Sequence, residues 1–240
     1  MLKSNLKIGQ CEKCPVLNEC VCIVDDEKLQ FNILNTYKRY DKKYKKKEVI
    51  YHDDIKLNKI MTIVSGWVLE YRILTNGQRC IVNIYTSGDL IGFNIDDNFI
   101  NKSIFVSATN LQACVFDNDT LINFINKNPI LAGSIIKRLS INIDKMASFL
   151  TSITRTKSQE RILYFIYYIG QKVYKFNSFN MVGKDIYIPL TQEEIADILG
   201  LTSVHISRSI KTLIDNKVIE VNKYKYKFLG SEKFDLNYSL

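Results

Sequence analysis

Four cysteines lie close together near the start of the chain and are the residues best suited to chemistry. They are Cys11, Cys14, Cys20 and Cys22, four of the six cysteines among 240 residues. Thiolates at such short spacings can hold a metal ion or an iron–sulfur cluster, or can switch between thiol and disulfide. Residues 1–30 are therefore interpreted as a metal-binding or redox-active segment, and the remaining chain must show what it controls.

The composition is that of an ordinary globular protein, with 46% hydrophobic and 24% charged residues. No apolar run reaches the roughly 20 residues that cross a bilayer, and the N-terminus lacks the apolar core of a signal peptide. We therefore expect a cytoplasmic protein with no membrane partner, in which a disulfide framework is disfavoured. The net charge of +8 suits a nucleic-acid partner, although the lysines within 42–47 are more simply a solvated surface. The only histidines, His52 and His205, lie in unrelated contexts, so an enzyme is not predicted.

Residues 31–128 have the pattern of a β-domain. Short strands are predicted over Lys59–Ser65, Lys102–Thr109 and Leu111–Phe116, with turn residues between them. This spacing favours a jelly roll, and a small β-barrel of another topology stays open. Asn76-Gly77 predicts a two-residue hairpin turn with positive φ at both residues. Counting outward from that turn pairs Ile73 with Cys80, Tyr71 with Val82 and Leu69 with Ile84, which places Cys80 in the core.

A different period begins at Asn128-Pro129 and predicts a long helix within residues 129–157. Its apolar residues recur at alternating spacings of four and three, as in a helix that packs lengthwise against a like partner. The alternative is a helix lying on its own β-domain, but a single seam on so long a helix favours a homodimer. The seam residues are Ile136, Leu139, Ile143, Met146, Leu150 and Ile153.

Residues 158–240 are interpreted as a second domain that contains two short helices. Thr191 and Glu194 form a capping box that begins the first of them. Gly200 follows where the chain must turn sharply, and Thr202 can cap the second helix. One face of the second helix is apolar and is expected to be buried through Ile206, Ile210 and Leu213. The opposite face carries Val204, Ser207, Arg208 and Lys211.

This layout predicts a helix-turn-helix whose second helix enters the DNA major groove. Arg208 can bond guanine O6 and N7, Ser207 can bond a base or a phosphate, and Val204 can touch only an apolar group such as a thymine methyl. Lys211 is a candidate for phosphate contact, as are Lys223 and Lys225 in a basic hairpin that follows like a wing. The alternative is an αα-hairpin that binds nothing.

The order of these parts resembles the Crp/Fnr transcription regulators, and the resemblance is closest to the Fnr branch. It rests on the spacing Cys11-x2-Cys14-x5-Cys20, on Cys114 late in the β-domain, and on matching runs along nearly the whole chain. These runs are Thr86–Phe93, Gln159–Ile162, Leu199–Thr202 and Ile206–Arg208. The resemblance implies an α+β fold with a cyclic-nucleotide-binding-like β-roll at residues 31–128, a dimerisation helix at 129–157 and a winged helix-turn-helix at 158–240.

The same resemblance implies a [4Fe-4S] cluster on Cys11, Cys14, Cys20 and Cys114, with Cys22 as a spare thiol or a substitute for Cys20. Oxygen or nitric oxide would degrade the cluster, weaken the dimer and lower its affinity for a palindromic DNA site. RNA polymerase is the further partner that it implies. A zinc ion on four thiolates and a redox disulfide are the alternatives for the cysteines.

Two departures from the family pattern change what is expected. The cyclic-nucleotide branch has a glutamate where this chain has Phe93, and Lys102-Ser103 offers at best a substitute for its phosphate-binding arginine, so a cAMP pocket is not expected. Ser207 and Arg208 match the family pattern, so a half-site related to TTGAT is expected. Val204 replaces a glutamate that accepts from cytosine, so the base opposite Val204 is left open. Two rivals are a regulator triggered by a small ligand in the β-roll, and a four-cysteine metal protein with no regulatory role.

Overall fold

A computed structural model of the protein describes residues 14–17, 38–51, 59–92, 103–174 and 181–230. Within this part, the chain divides into two compact units, one ending at Ser140 and the other starting at Ile141. Each unit buries its own set of apolar side chains. No helix among these residues is long and apolar enough to span a membrane.

The first unit is built from eight strands followed by helices. Its strands are β1 Lys38–Tyr44, β2 Val49–Tyr51, β3 Lys59–Ser65, β4 Val68–Ile73, β5 Arg79–Tyr85, β6 Leu90–Ile91, β7 Ile104–Ser107 and β8 Leu111–Asp117. They form two antiparallel four-stranded sheets, ordered β1-β8-β3-β6 and β2-β7-β4-β5. Helix α1, Asn118–Lys127, follows β8, and the long helix α2 spans Pro129–Arg155.

Side-chain alternation along β8 separates the two apolar cores of this unit. Leu111, Ala113 and Val115 face the interior of the roll, where they pack with residues of the second sheet. Cys114 and Phe116 point to the outer face, where they form a second cluster with Ile60 and Val64 of β3 and with residues of α1 and α2. We call this second set the outer cluster; its buried members are Val16, Ile60, Val64, Cys114, Phe116, Leu121, Leu131 and Ile135.

The β4–β5 hairpin departs from the predicted register. Only Gly77 of the Asn76-Gly77 pair has a positive φ, +80°, and the Leu74 N–H donates to Gln78 O at 2.8 Å. The loop is thus longer than the predicted two-residue turn, and a bulge lies between Glu70 and Tyr71. Leu69 pairs with Ile84 as predicted, but Tyr71 pairs with Ile81 and Ile73 with Arg79. Cys80 is half-buried, so its predicted place in the core was wrong.

The second unit contains three helices and a small sheet in addition to the end of α2. They are α3 Ser158–Tyr174, β9 Ile186–Tyr187, α4 Gln192–Leu199, α5 Ser203–Asp215, β10 Ile219–Asn222 and β11 Lys225–Phe228. The sheet order is β10-β11-β9. The predicted α+β class is confirmed, with a β-roll, a long helix and a C-terminal winged helix-turn-helix in that order.

Candidate metal centre and nucleic-acid interface

Cys114 occupies a buried position in the middle of the outer face of the first sheet. Its side chain is 7% exposed. Asp41 of β1 stands directly opposite it on one side, and Thr62 of β3 stands opposite it on the other. Directly opposed residues of neighbouring strands place their side chains on the same face, so the thiol has an oxygen-bearing neighbour on each flank.

The Cys114 thiol donates a hydrogen bond to Asp41 Oδ1, with a sulfur–oxygen distance of 3.3 Å. Asp41 itself is half-buried. Sequence reasoning missed this carboxylate, because the two residues are 73 positions apart in the chain. Only the pairing of β1 with β8 brings them together.

The short piece Cys14–Leu17 carries the second described thiol to the same region. The Leu17 N–H donates to Cys14 O at 3.1 Å, which closes a tight turn. Val16 is 5% exposed and belongs to the outer cluster, and Cys14 and Leu17 pack against that cluster. Two of the four predicted ligands therefore meet one apolar region on the outer face of the β-roll.

The remaining cysteines of the first segment, Cys11, Cys20 and Cys22, lie outside the described residues. Among the residues that are described, no group of three or more His, Cys, Asp or Glu could hold a metal ion. The two described cysteines of the predicted ligand set, Cys14 and Cys114, nevertheless suit an iron–sulfur cluster, since soft thiolates shielded by apolar side chains are the usual holders of such a group. The four-cysteine ligand set stays a prediction.

Helix α2 has two apolar faces, and only one of them is covered. Leu131 and Ile135 are buried in the outer cluster. The predicted seam starts at the next residue, and its members are exposed as far as Leu150: Ile136 63%, Leu139 41%, Ile143 64%, Met146 48% and Leu150 58%, while Ile153 is half-buried. Packing on the β-domain therefore accounts for Leu131 and Ile135 and leaves the heptad face uncovered, as a row of exposed large apolar side chains.

The helix-turn-helix forms as the local sequence predicts. The Glu194 N–H donates to Thr191 Oγ1 at 3.2 Å and Glu194 Oε2 accepts from the Thr191 N–H at 2.7 Å, so both halves of the capping box are present. Gly200 ends α4 with φ of +62°. Thr202 caps α5 by accepting from the His205 N–H at 3.2 Å.

One face of helix α5 is buried, and the face predicted to contact DNA is exposed. Ile206, Ile210 and Leu213 are buried, and Ser209 Oγ lies 2.9 Å from Ser158 Oγ of α3. Sequence reasoning missed this serine pair, which holds α5 on α3 through a hydrogen bond. The opposite face is open to solvent; it consists of Val204, Ser207, Arg208 and Lys211. Their contact with DNA stays a prediction.

The two lysines of the wing hairpin that are predicted to bind phosphate differ in their surroundings. Lys225 Nζ lies 3.4 Å from Asp185 Oδ2, and Lys227 Nζ lies 3.3 Å from Asp185 Oδ1. The hydrogen bond from Lys227, followed by that from Lys225, lowers the pKa of the Asp185 carboxyl. Lys223 sits at the exposed tip between β10 and β11, with φ of +56°. Of the two wing lysines predicted from the sequence, Lys223 is thus the more available for phosphate.

Loss of the capping box gives a first testable prediction. Thr191→Ala removes the side-chain acceptor for the Glu194 N–H, so we expect the free energy of unfolding to fall by about 1 kcal/mol. Chemical denaturation followed by circular dichroism measures this change. Gln192→Ala, at the next exposed position, is the matched control and should change stability by less than about 0.5 kcal/mol. Equal effects of the two substitutions would contradict the assigned cap.

Comparison with known proteins supports the same division of the chain. Residues 144–230 match the Crp-like helix-turn-helix domain, and residues 41–128 match the cyclic nucleotide-binding domain. The anaerobic regulatory protein of Haemophilus influenzae is 25% identical over 198 residues, which cover 82% of this chain and 76% of that protein. The fumarate and nitrate reduction regulatory protein of Yersinia pestis is 24% identical over 216 residues, covering 90% and 84%.

Solved structures show the same fold. The structure of FixK2 from Bradyrhizobium japonicum has a TM-score of 0.69 and 18% identity, covering 80% of this chain and 92% of that one. The relatives are named as regulators rather than enzymes, in agreement with the prediction that this protein has no catalytic role. The two matched domains and these relatives together place the chain in the Crp/Fnr family of DNA-binding transcription regulators, in its Fnr-type branch.

Proposed function

We propose that this protein is a cytoplasmic, Fnr-like regulator whose dimerisation and DNA binding depend on a [4Fe-4S] cluster held by Cys11, Cys14, Cys20 and Cys114. The observation that carries the proposal is the composition of the outer cluster. It contains Val16 of the cysteine segment, Cys114 of β8, and Leu131 and Ile135 of α2. A change at the thiols therefore has a direct packing route to the long helix.

The thiolates act by joining two parts of the chain that are distant in sequence. Cys14 lies in the N-terminal segment and Cys114 in the β-roll, so ligation of one group by both would hold Val16 against Leu131 and Ile135. Bound at this place, the group supplies iron and sulfide that oxygen or nitric oxide can degrade. When the thiolates are released, Val16 and Leu17 would still pack against the outer cluster, without the bonds that tie the thiols to one group.

The packing of the first turns of α2 would then determine the direction in which the heptad row begins. Ile136 follows the buried Ile135 directly, so the seating of the helix in the outer cluster fixes where the heptad face points. We propose that the seated helix pairs with a second copy and that release shifts the population toward monomer. A dimer spaces two α5 helices by about one DNA turn, ~34 Å, which matches a palindromic site.

Specificity for DNA follows from the exposed face of α5. Arg208 is the candidate for guanine and Ser207 for a base or a phosphate, in a half-site related to TTGAT. Val204, 55% exposed, offers only methyl groups to the groove, so a thymine is the base that it favours. Bound at such a site, the protein would act through RNA polymerase.

The interior of the β-roll offers little support for a cyclic nucleotide as the trigger. Glu70 is buried there, and its carboxylate accepts from Ser103 Oγ at 2.6 Å and from the Tyr85 hydroxyl at 2.7 Å. Burial, followed by the nearby Glu70 carboxylate, raises the pKa of Tyr85, so the phenol stays a donor to that carboxylate. A buried carboxylate opposes binding of a cyclic phosphate, because like charges repel strongly where solvent is excluded.

The test of the proposal is metal analysis joined to DNA binding. Anaerobically purified protein is expected to contain about four iron and four sulfide per chain. Exposure to air should remove them and weaken binding to a palindromic duplex by about tenfold or more, as measured by fluorescence anisotropy at fixed salt. Cys14→Ser should lack the cluster, and Cys80→Ser, which removes a half-buried thiol from β5, should keep it. Zinc without sulfide, or equal DNA affinity in air, would overturn the proposal.

A further inference from the structure

The carboxylate of Asp41 is a metal-binding group that lies beside Cys114 and is not among the four proposed cysteine ligands. It accepts the hydrogen bond of the thiol at 3.3 Å. Oxygen donors from Asp bind transition metals at about 2.0–2.2 Å and thiolates at about 2.3 Å. Two donors only 3.3 Å apart can therefore reach one metal position from the same side of the sheet.

The contact is fixed by backbone pairing rather than by a chance rotamer. Asp41 and Cys114 are direct partners in the β1–β8 ladder, and the register continues through Lys42 opposite Ala113 and Lys43 opposite Gln112. The same alternation that directs Cys114 to the outer face directs Asp41 there. On the other flank stands Thr62, which is completely buried. The two strand neighbours of the thiol therefore differ, with a carboxylate on the β1 side and a hydroxyl on the β3 side.

We propose that Asp41 is an alternative ligand at the Cys114 position, able to hold the fourth iron when the thiolate leaves. This inference rests on the proposed cluster and names a fifth protein donor for it. In the exchange, the iron–sulfur bond to Cys114 breaks with both electrons staying on sulfur, and an Asp41 oxygen supplies the electron pair of the new bond. The iron keeps its oxidation state, and the thiolate takes a proton from water.

Such an exchange makes the iron held by Cys114 the least firmly bound of the four. A carboxylate is a harder donor than a thiolate and holds iron–sulfur clusters less well. When the bond between Cys114 and iron breaks, Asp41 would keep the cluster bound to the protein. The carboxylate-bound form would then be more open to attack by oxygen. Asp41 thus gives the site a second, more reactive form, which a site built only of cysteines lacks.

The experiment compares iron and sulfide content after anaerobic reconstitution of the full chain with ferrous iron and sulfide. The variants are Cys114→Ala, Asp41→Asn and the double variant, with Asp117→Asn as the matched control. Asp117 lies on β8 as well, but alternation directs it to the other face of the strand. Circular dichroism checks the fold of each variant, and Cys114→Ser provides a near-isosteric second variant if Cys114→Ala does not fold.

We expect Cys114→Ala to retain iron and sulfide and the double variant to bind iron about 10- to 100-fold more weakly than Cys114→Ala does. Asp41→Asn alone should keep the cluster and slow its loss in air, followed by absorbance, while Asp117→Asn should behave like the unaltered protein. If Cys114→Ala loses all iron, or if the double variant binds iron as tightly as Cys114→Ala does, Asp41 is not a ligand. The proposal of a four-cysteine cluster is unaffected by either result. If the unaltered protein itself binds no iron and sulfide, the proposed function fails first, and this inference fails with it.

Discussion

Arg208→Ala is expected to weaken specific DNA binding strongly while leaving the fold intact. The guanidinium fork on the exposed face of α5 can bond guanine O6 and N7 at once, and such a bidentate pair contributes about 1–3 kcal/mol. A dimer on a palindrome loses two of these pairs, or about 2–6 kcal/mol, so the dissociation constant should rise between about 30-fold and 10⁴-fold. Fluorescence anisotropy with the palindromic duplex at fixed salt measures the change.

The matched control for Arg208 is another exposed cation in the other unit. Lys127→Ala, in the last turn of α1, removes the same charge and should leave specific affinity within a few-fold. Unrelated DNA should lose little affinity in either variant, since its binding depends on total phosphate neutralisation. An equal loss on specific and unrelated DNA would mean that Arg208 contacts only phosphate. Unchanged binding would remove it from the interface.

Ile143→Asp is expected to convert the dimer to monomer. Ile143 is 64% exposed in the single chain and lies at the centre of the heptad row, so pairing would bury it against its copy. Two facing carboxylates without partners cost several kcal/mol each on burial. The dimer dissociation constant should therefore rise by about 10³-fold or more. Sedimentation velocity over a concentration series measures it.

Ile141→Asp is the matched control for the seam. Ile141 belongs to the same helix and is 45% exposed, but it lies two residues away and therefore on another face, about 200° around the axis. The same charge placed there should leave association unchanged. If both variants dissociate to monomers, the added negative charge itself, and not its position in the heptad row, explains the dissociation. If neither does, the heptad row is not the dimer contact.

Local sequence patterns predicted the second unit well, because its structure depends on residues close together in the chain. The capping box at Thr191, the left-handed Gly200 and the buried Ile206 each follow from interactions within a few residues. The β4–β5 hairpin was harder. Its bulge at Glu70 and Tyr71 shifts the register, and no simple count outward from a turn can place such an extra residue.

Contacts between distant segments could not be predicted from spacing. Asp41 lies in a lysine-rich stretch that the sequence predicts to be a solvated surface, yet strand pairing places it beside Cys114. The serine pair Ser158–Ser209 is another example, since its members are 51 positions apart in the chain. In both cases each residue is unremarkable in its own neighbourhood, and its role depends on which strand or helix the fold places next to it.

Helix α2 carries a buried position and a candidate pairing position at consecutive residues, Ile135 and Ile136. Consecutive residues on a helix differ by about 100° around its axis, and no loop or glycine lies between these two. A signal from the cysteine segment would therefore reach the start of the heptad row as a rotation of the helix about its own axis. A small rotation of the helix at Ile135 would turn Ile136 and Leu139, the first two residues of the heptad row, toward or away from a second copy.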